Sequence, residues 1–94
     1  MSLASVREQI DAVDGRIIRL IAERQQHAAE MARLKTHEGM PIRDPGQRDK
    51  VLERAFDRAV EAKIDPVSVQ EIFDILVRMS EERQQECMGD GNLP

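Results

Sequence analysis

An unusually long amphipathic stretch, from Leu3 to Lys35, most strongly limits what this 94-residue chain can fold into. Its apolar residues recur mostly at alternating steps of three and four, which is typical of a helix with a narrow buried seam. They are Leu3, Val6, Ile10, Val13, Ile17, Leu20, Ile21, Ala28, Met31 and Leu34. At about 100° per residue, Arg24 and Lys35 project into the middle of the same seam. Two cations in a buried seam, with no acidic partner on it, favour the binding of an anion.

Proline and glycine divide the chain into three helices, which together predict a single all-α domain over residues 1–94. Helix 1 is predicted at about residues 3–37, helix 2 at about 45–62 and helix 3 at about 66–86. The Gly-rich, polar segment 88–94 is predicted to be a flexible tail.

Short polar motifs mark where each helix begins. Ser2 is a candidate N-cap for helix 1, and Ser5 with Glu8 fits a capping box. Helices 2 and 3 both begin with aspartate followed by proline, at Asp44-Pro45 and Asp65-Pro66. The predicted inward positions are Val51, Leu52, Ala55, Phe56, Ala59 and Ala62 on helix 2, and Val69, Ile72, Phe73, Leu76 and Met79 on helix 3.

The length of helix 1 predicts a partner. A helix of this length extends about 50 Å, whereas a compact domain of this chain length is only about 30–35 Å across. The seam continues to both ends of the helix, so another surface must cover the part that overhangs. The simplest such surface belongs to a second copy, and we expect an intertwined homodimer.

Composition argues against several functional classes. The net charge is −4 and both signs are interspersed, unlike the basic surface of a nucleic-acid binder. Cys87, His27 and His37 have no ligand-like spacing, so no metal site is expected. No apolar run approaches the ~20 residues of a membrane span, and we expect a soluble, cytoplasmic protein with no membrane partner.

Candidate site residues are polar side chains on otherwise apolar faces. They are Arg24 and Lys35 with Arg7 at the edge of the seam, Asp44 and Arg48 on helix 2, and Ser80 and Gln84 on helix 3. Each alone is readily explained as a tolerated or snorkelling side chain, but their joint occurrence favours a pocket for a small polyanion. The chain shows no Ser-His-Asp set, Cys-His pair or Gly-rich phosphate loop. Electrostatic catalysis by fixed donors is the chemistry that remains.

The ordered motifs along the three helices resemble those of the all-helical chorismate mutases. The matching residues are Val6 to Asp14, Leu20 to Arg24, Lys35, Pro41 to Asp44, Leu52 to Arg54, Ile72-Phe73, Ser80 and Gln84. The resemblance covers residues 3–87 without a gap.

This resemblance implies an intertwined dimer with two sites, in which chorismate rearranges to prephenate without a cofactor or a covalent intermediate. Arg24 and Lys35 would serve one site, and Arg7 would enter it from the other subunit. The two arginines would bind the carboxylates of the substrate. Lys35 and Gln84 would hydrogen-bond the ether oxygen as its bond to carbon breaks.

One part of the motif departs from the family. The resemblance implies that Asp44 holds the ring hydroxyl and that Ser80 assists at the ring carboxylate. After the aspartate, however, the family usually has Arg-Glu where this chain has Gln47-Arg48. Arg48 therefore occupies the position of an acid, or Arg48-Asp49 is the same motif displaced by one residue. The sequence is compatible with both alternatives.

Three other functions compete with chorismate mutase. Isochorismate pyruvate-lyase and 4-amino-4-deoxychorismate mutase share the fold, and Asp44 with Ser80 favours a mutase over the lyase. A non-catalytic helical dimer, or a partner subunit of another shikimate-pathway enzyme, belongs to a different class. With Gln84 in place of a glutamate, activity is not expected to require acid pH.

Overall fold

Three α-helices make up the computed structural model, which describes residues 1–90, with side chains as far as Met88. They are α1 (Leu3–Glu38), α2 (Pro45–Ala62) and α3 (Pro66–Asp90). Within the described residues no strand occurs, so the predicted all-α class is confirmed. None of the helices described is long and apolar enough to cross a bilayer.

Helix α1 is held at its start by a pair of serines. The backbone N–H of Ser5 donates to the Ser2 hydroxyl at 3.1 Å, and the N–H of Ser2 donates to the Ser5 hydroxyl at 3.1 Å. The capping box therefore pairs Ser2 with Ser5, and the prediction that used Glu8 is wrong. The helix ends at Gly39, whose φ of 70° suits a residue without a side chain.

Aspartate caps position the other two helices as predicted. Asp44 accepts the backbone N–H of Gln47 at 3.1 Å, and Asp65 accepts that of Ser68 at 3.0 Å. Hydrogen bonds from the Ser68 hydroxyl and N–H lower the pKa of the Asp65 carboxyl. Helix α2 ends at Lys63, which adopts the left-handed conformation with φ 61°.

Helix α3 extends beyond its predicted end. It continues to Asp90, whereas the sequence predicted an end near Glu86 and a flexible segment from residue 88. The Thr36 hydroxyl on α1 contacts the sulfur of Met88, and this tertiary contact supports the added turn. The rest of the predicted tail, residues 91–94, lies outside the described residues.

Helix α3 is the central element, because it packs against both α1 and α2. Arg24 donates to the Leu76 carbonyl at 3.0 Å, which joins α1 to α3. Gln70 donates to the Leu52 carbonyl at 3.2 Å, which joins α3 to α2. The residue pairs 24–76 and 36–88 have the same offset, so α1 and α3 run parallel.

The core of one chain is small. Its buried apolar residues are Ala28, Ala32, Ile42, Ala55, Ala59 and Val77. Alanine at four of these positions allows the helices to approach closely. Three predicted inward positions are wrong for the single chain, since Phe56, Ala62 and Ile72 are exposed.

The first half of α1 carries a row of exposed apolar side chains. Leu3, Ile10, Val13, Ile17 and Leu20 are all exposed, and Leu20 retains 62% of its accessible surface. The described chain measures 54 × 29 × 14 Å, so its long dimension equals the length of α1. The homodimer that would cover this face stays a prediction.

Candidate active site

A cavity of about 280 Å³ lies between α1, the start of α2 and α3. Six of the seven predicted site residues line it, namely Arg24, Lys35, Asp44, Arg48, Ser80 and Gln84. Its volume is close to the lower limit of about 300 Å³ for pockets that bind small molecules. The helical spacing of the residues on α1 and α3, together with the Asp44 cap of α2, therefore brings these side chains to one place.

Lys35 is the most deeply buried cation of the cavity, with 9% of its surface exposed. Its Nζ donates to the carbonyl of Ile42 at 2.7 Å. Ile42 is itself buried and fixes the α1–α2 loop beside the ammonium group. An ammonium group has three N–H donors, so two remain for a ligand in the cavity.

Arg24 provides a second fixed cation on the same helix face. One of its terminal nitrogens donates to the Leu76 carbonyl at 3.0 Å, which aims the guanidinium across α3. Burial lowers the pKa of Arg24, because the charged form loses part of its hydration. An arginine nevertheless keeps its proton at neutral pH, so the site retains the positive charge.

Gln84 supplies an amide to the cavity at a position that is only 5% exposed. Its Nε2 donates to the Ser80 hydroxyl at 3.2 Å, whereas its Oε1 is buried without a hydrogen-bond partner among the described residues. Because a hydroxyl can donate or accept, the amide can also rotate so that Oε1 accepts from Ser80. Nε2 then becomes a free donor for a ligand.

The start of α2 forms the remaining polar wall. Asp44 and Gln47 line the cavity together with Arg48, which forms an ion pair with Asp74. The Asp49 side chain is 78% exposed and is not among the residues that line the cavity. The structure thus places Arg48, rather than Asp49, on the wall.

Arg7 does not reach this cavity. It lies seventeen residues before Arg24, which corresponds to about 25 Å along the helix axis. It is exposed in the single chain. Its predicted role in the site of a second subunit stays a prediction.

The sequence profile of chorismate mutase type II matches residues 6–85. The chain belongs to this family. The family resemblance predicted from the sequence motifs is thereby confirmed.

Curated relatives of this chorismate mutase-family chain differ in length and in name. It is 33% identical to the chorismate mutase of Methanocaldococcus jannaschii over 92% of this chain and 87% of that protein. It is 29% identical to the bifunctional chorismate mutase/prephenate dehydratase of Escherichia coli K12, over 92% of this chain but 22% of that longer protein. It is 27% identical to the 4-amino-4-deoxychorismate mutase of Streptomyces venezuelae, over 80% of this chain and 73% of that protein.

Several residues of this family member line the cavity without having been predicted. They include His27, Met31, Ile42 and Glu81. His27 follows Arg24 by three residues, and Glu81 precedes Gln84 by three, so one-turn spacing could have identified both. The burial of Ile42 carries no comparable signal, because it lies in a loop. No cluster of three or more His, Cys, Asp or Glu in the described part of the chain could hold a metal ion.

Proposed function

We propose that this cavity catalyses the rearrangement of chorismate to prephenate. The observation that carries the proposal is that Arg24 and Lys35 face one small cavity with only backbone carbonyls as hydrogen-bond partners in the described structure. Such cations are available to the negatively charged groups of a small substrate. Family membership and the similarity to the Methanocaldococcus jannaschii chorismate mutase support the same reaction.

The chemistry requires no nucleophile, proton transfer or cofactor. In the rearrangement the ether C–O bond breaks while a new C–C bond forms within the same molecule, and negative charge develops on the ether oxygen. Lys35 has free N–H donors, and the Gln84 amide offers its NH₂ group to a ligand when it is rotated so that Oε1 accepts from Ser80. Both donors are held in place before the reaction, which favours stabilisation of the transition state over that of the substrate.

The other polar residues have binding roles in this proposal. Arg24 pairs with a carboxylate of chorismate, and Arg48 supplies a second guanidinium on the opposite wall. Asp44 uses one carboxylate oxygen to cap α2, which leaves the other oxygen for the ring hydroxyl. Ser80 orients the amide of Gln84 and lies beside it to assist at the ring carboxylate.

The exposed half of α1 supports a homodimer in which Arg7 completes the cavity of the second subunit. The seam there is apolar and uncovered, and Arg7 lies at its edge. The expected species in analytical ultracentrifugation at micromolar concentration is a dimer. A folded monomer under those conditions contradicts both the dimer and the proposed role of Arg7.

Product identification distinguishes the related reactions. The purified protein is incubated in parallel with chorismate, isochorismate and 4-amino-4-deoxychorismate, and the products are identified by mass spectrometry and chromatography. We expect prephenate from chorismate as the main product. Pyruvate and salicylate from isochorismate, with no prephenate from chorismate, would identify a lyase instead.

Similarity to the Streptomyces venezuelae protein makes 4-amino-4-deoxychorismate the second candidate substrate. The identity to that protein is 27% over 80% of this chain, whereas the identity to the Methanocaldococcus jannaschii chorismate mutase is 33% over 92% of this chain. We therefore expect a higher kcat/KM for chorismate than for its amino analogue.

A non-catalytic role is tested by a single substitution. Lys35→Ala is expected to abolish turnover while the protein remains folded and dimeric. If the chain serves only as a helical partner of another shikimate-pathway enzyme, the wild-type protein shows no turnover and Lys35→Ala leaves partner binding intact. The fusion to prephenate dehydratase in the Escherichia coli relative is consistent with such a partner. The cytoplasmic location also stays a prediction, which cell fractionation tests.

A further inference from the structure

Two carboxylates of α3 pair with arginines that flank the N-cap of α2. Glu81 pairs with Arg43 at 3.2 Å, and Asp74 pairs with Arg48. Because Asp74 and Glu81 are seven residues apart, they lie on the same face of α3. Arg43 immediately precedes Asp44, and Arg48 follows it by one helical turn.

The two ion pairs face the cavity with different members: the arginine in one pair and the carboxylate in the other. Arg48 lines the cavity, whereas Asp74 does not, so Asp74 lies behind the guanidinium. Arg43 has the opposite arrangement, since its side chain is 79% exposed while its partner Glu81 lines the cavity. Asp49 is the other carboxylate near Arg48, but its oxygen is 3.9 Å away, beyond hydrogen-bond distance.

We infer that Asp74 is a positioning residue that holds the guanidinium of Arg48 against the cavity wall. An arginine has five N–H donors in a rigid fork, and Asp74 engages one terminal nitrogen. The remaining donors are left for an oxygen of the substrate. The inference rests on the proposed function, because it assigns Arg48 to substrate binding in the same cavity.

The need for a tether follows from the exposure of Arg48. Its side chain retains 40% of its accessible surface, so without Asp74 it is free to adopt rotamers that point into solvent. Ordering that long side chain would then oppose substrate binding. Asp74 acts before the substrate arrives, and it is expected to change KM more than kcat.

The test is a double-mutant cycle on chorismate turnover. Asp74→Asn is expected to raise KM about two- to fivefold, which is the size of effect expected when a partly exposed ion pair is lost. The change in kcat is expected to be less than about twofold. In the Arg48→Gln background, the same Asp74→Asn change is expected to have no further effect on KM. Asp74→Glu is expected to retain the wild-type KM. Asp57→Asn, at an exposed position of α2 away from the cavity, is the matched control.

An unchanged KM in Asp74→Asn overturns the inference, and so does an equal rise in KM with and without Arg48. If the wild-type protein shows no turnover, the proposed function fails. The positioning role is then tested by the dissociation constant of chorismate, measured by calorimetry on the same four proteins, with the same coupling expected. Absence of any binding to the wild type overturns both proposals.

Discussion

Replacing Gln84 by glutamate gives the sharpest functional prediction. The side chain is 5% exposed, and its amide makes a single hydrogen bond, to Ser80, within the described structure. Glutamate has nearly the same shape, so the fold should tolerate the change. An ionised carboxylate only accepts hydrogen bonds, whereas a protonated carboxyl can donate one. The substitution therefore converts a donor that is present at every pH into one that requires protonation.

The expected magnitude follows from the loss of one fixed donor near a developing oxyanion. Such a loss typically costs about 10²- to 10³-fold in rate, or about 2.7–4 kcal/mol. At pH 7.5 the Gln84→Glu protein should therefore have a kcat lower by that factor. As the pH falls, the protonated fraction rises, and kcat/KM should increase about tenfold per pH unit until the carboxyl is protonated. The wild-type protein should show no such increase.

Steady-state kinetics across the pH range provide the assay, with the loss of chorismate as the signal. Gln85→Glu is the matched control, since it makes the same chemical change at the next, exposed position of α3. Circular dichroism of each protein shows whether the fold is intact at each pH. A Gln84→Glu protein with wild-type activity at pH 7.5, or with a flat pH profile, refutes the proposed role of the amide.

Three further predictions concern the cations and a helix cap. Arg24→Lys keeps the positive charge but loses the planar guanidinium that binds a carboxylate through two hydrogen bonds, so kcat/KM should fall about tenfold in steady-state assays. An unchanged kcat/KM contradicts carboxylate binding by Arg24. The Arg7→Ala and Lys35→Ala proteins are each expected to be inactive. When they are mixed 1:1 and their subunits are exchanged, half of the dimers contain one chain of each kind and therefore one intact site of two, so about a quarter of wild-type activity should return. If no activity returns, the site is not shared between subunits. Hydrogen bonds from Ser68 lower the pKa of Asp65. The Asp65 cap therefore stabilises the fold at pH values above the ordinary carboxyl pKa, and this stabilisation is lost as the pH falls through the lowered pKa. Thermal unfolding of Asp65→Ala should thus show a lower Tm than wild type at pH 7, and a difference that persists fully in acid contradicts this origin.

Local chemistry explains why the helices and much of the site could be predicted. Asp44 and Asp65 each cap their own helix by accepting the backbone N–H of the residue three positions later. The proline after each aspartate lacks an N–H, which the first position of a helix does not use. The placement of Arg24 and Lys35 on one face follows from the helical repeat alone. Residues whose roles depend on a single helix were therefore predictable.

Contacts between helices were not predictable in the same way. The pairing of Arg48 with Asp74 depends on how α2 is rotated against α3, and helical periodicity does not fix that rotation. The extension of α3 past Glu86 accompanies a contact of Met88 with α1. Ile42 is buried because the loop folds back over Lys35, which no local pattern in the loop indicates.

A crystal structure with a bicyclic dicarboxylate analogue of the rearrangement transition state tests the proposed site most directly. The ligand is expected in the cavity between the three helices, with its carboxylates on arginines and its ether oxygen within hydrogen-bond distance of Lys35 and Gln84. Arg7 from a second copy of the chain is expected to contact the same ligand. A ligand bound elsewhere, or bound in this cavity without contact to Lys35, would contradict the proposed catalytic site.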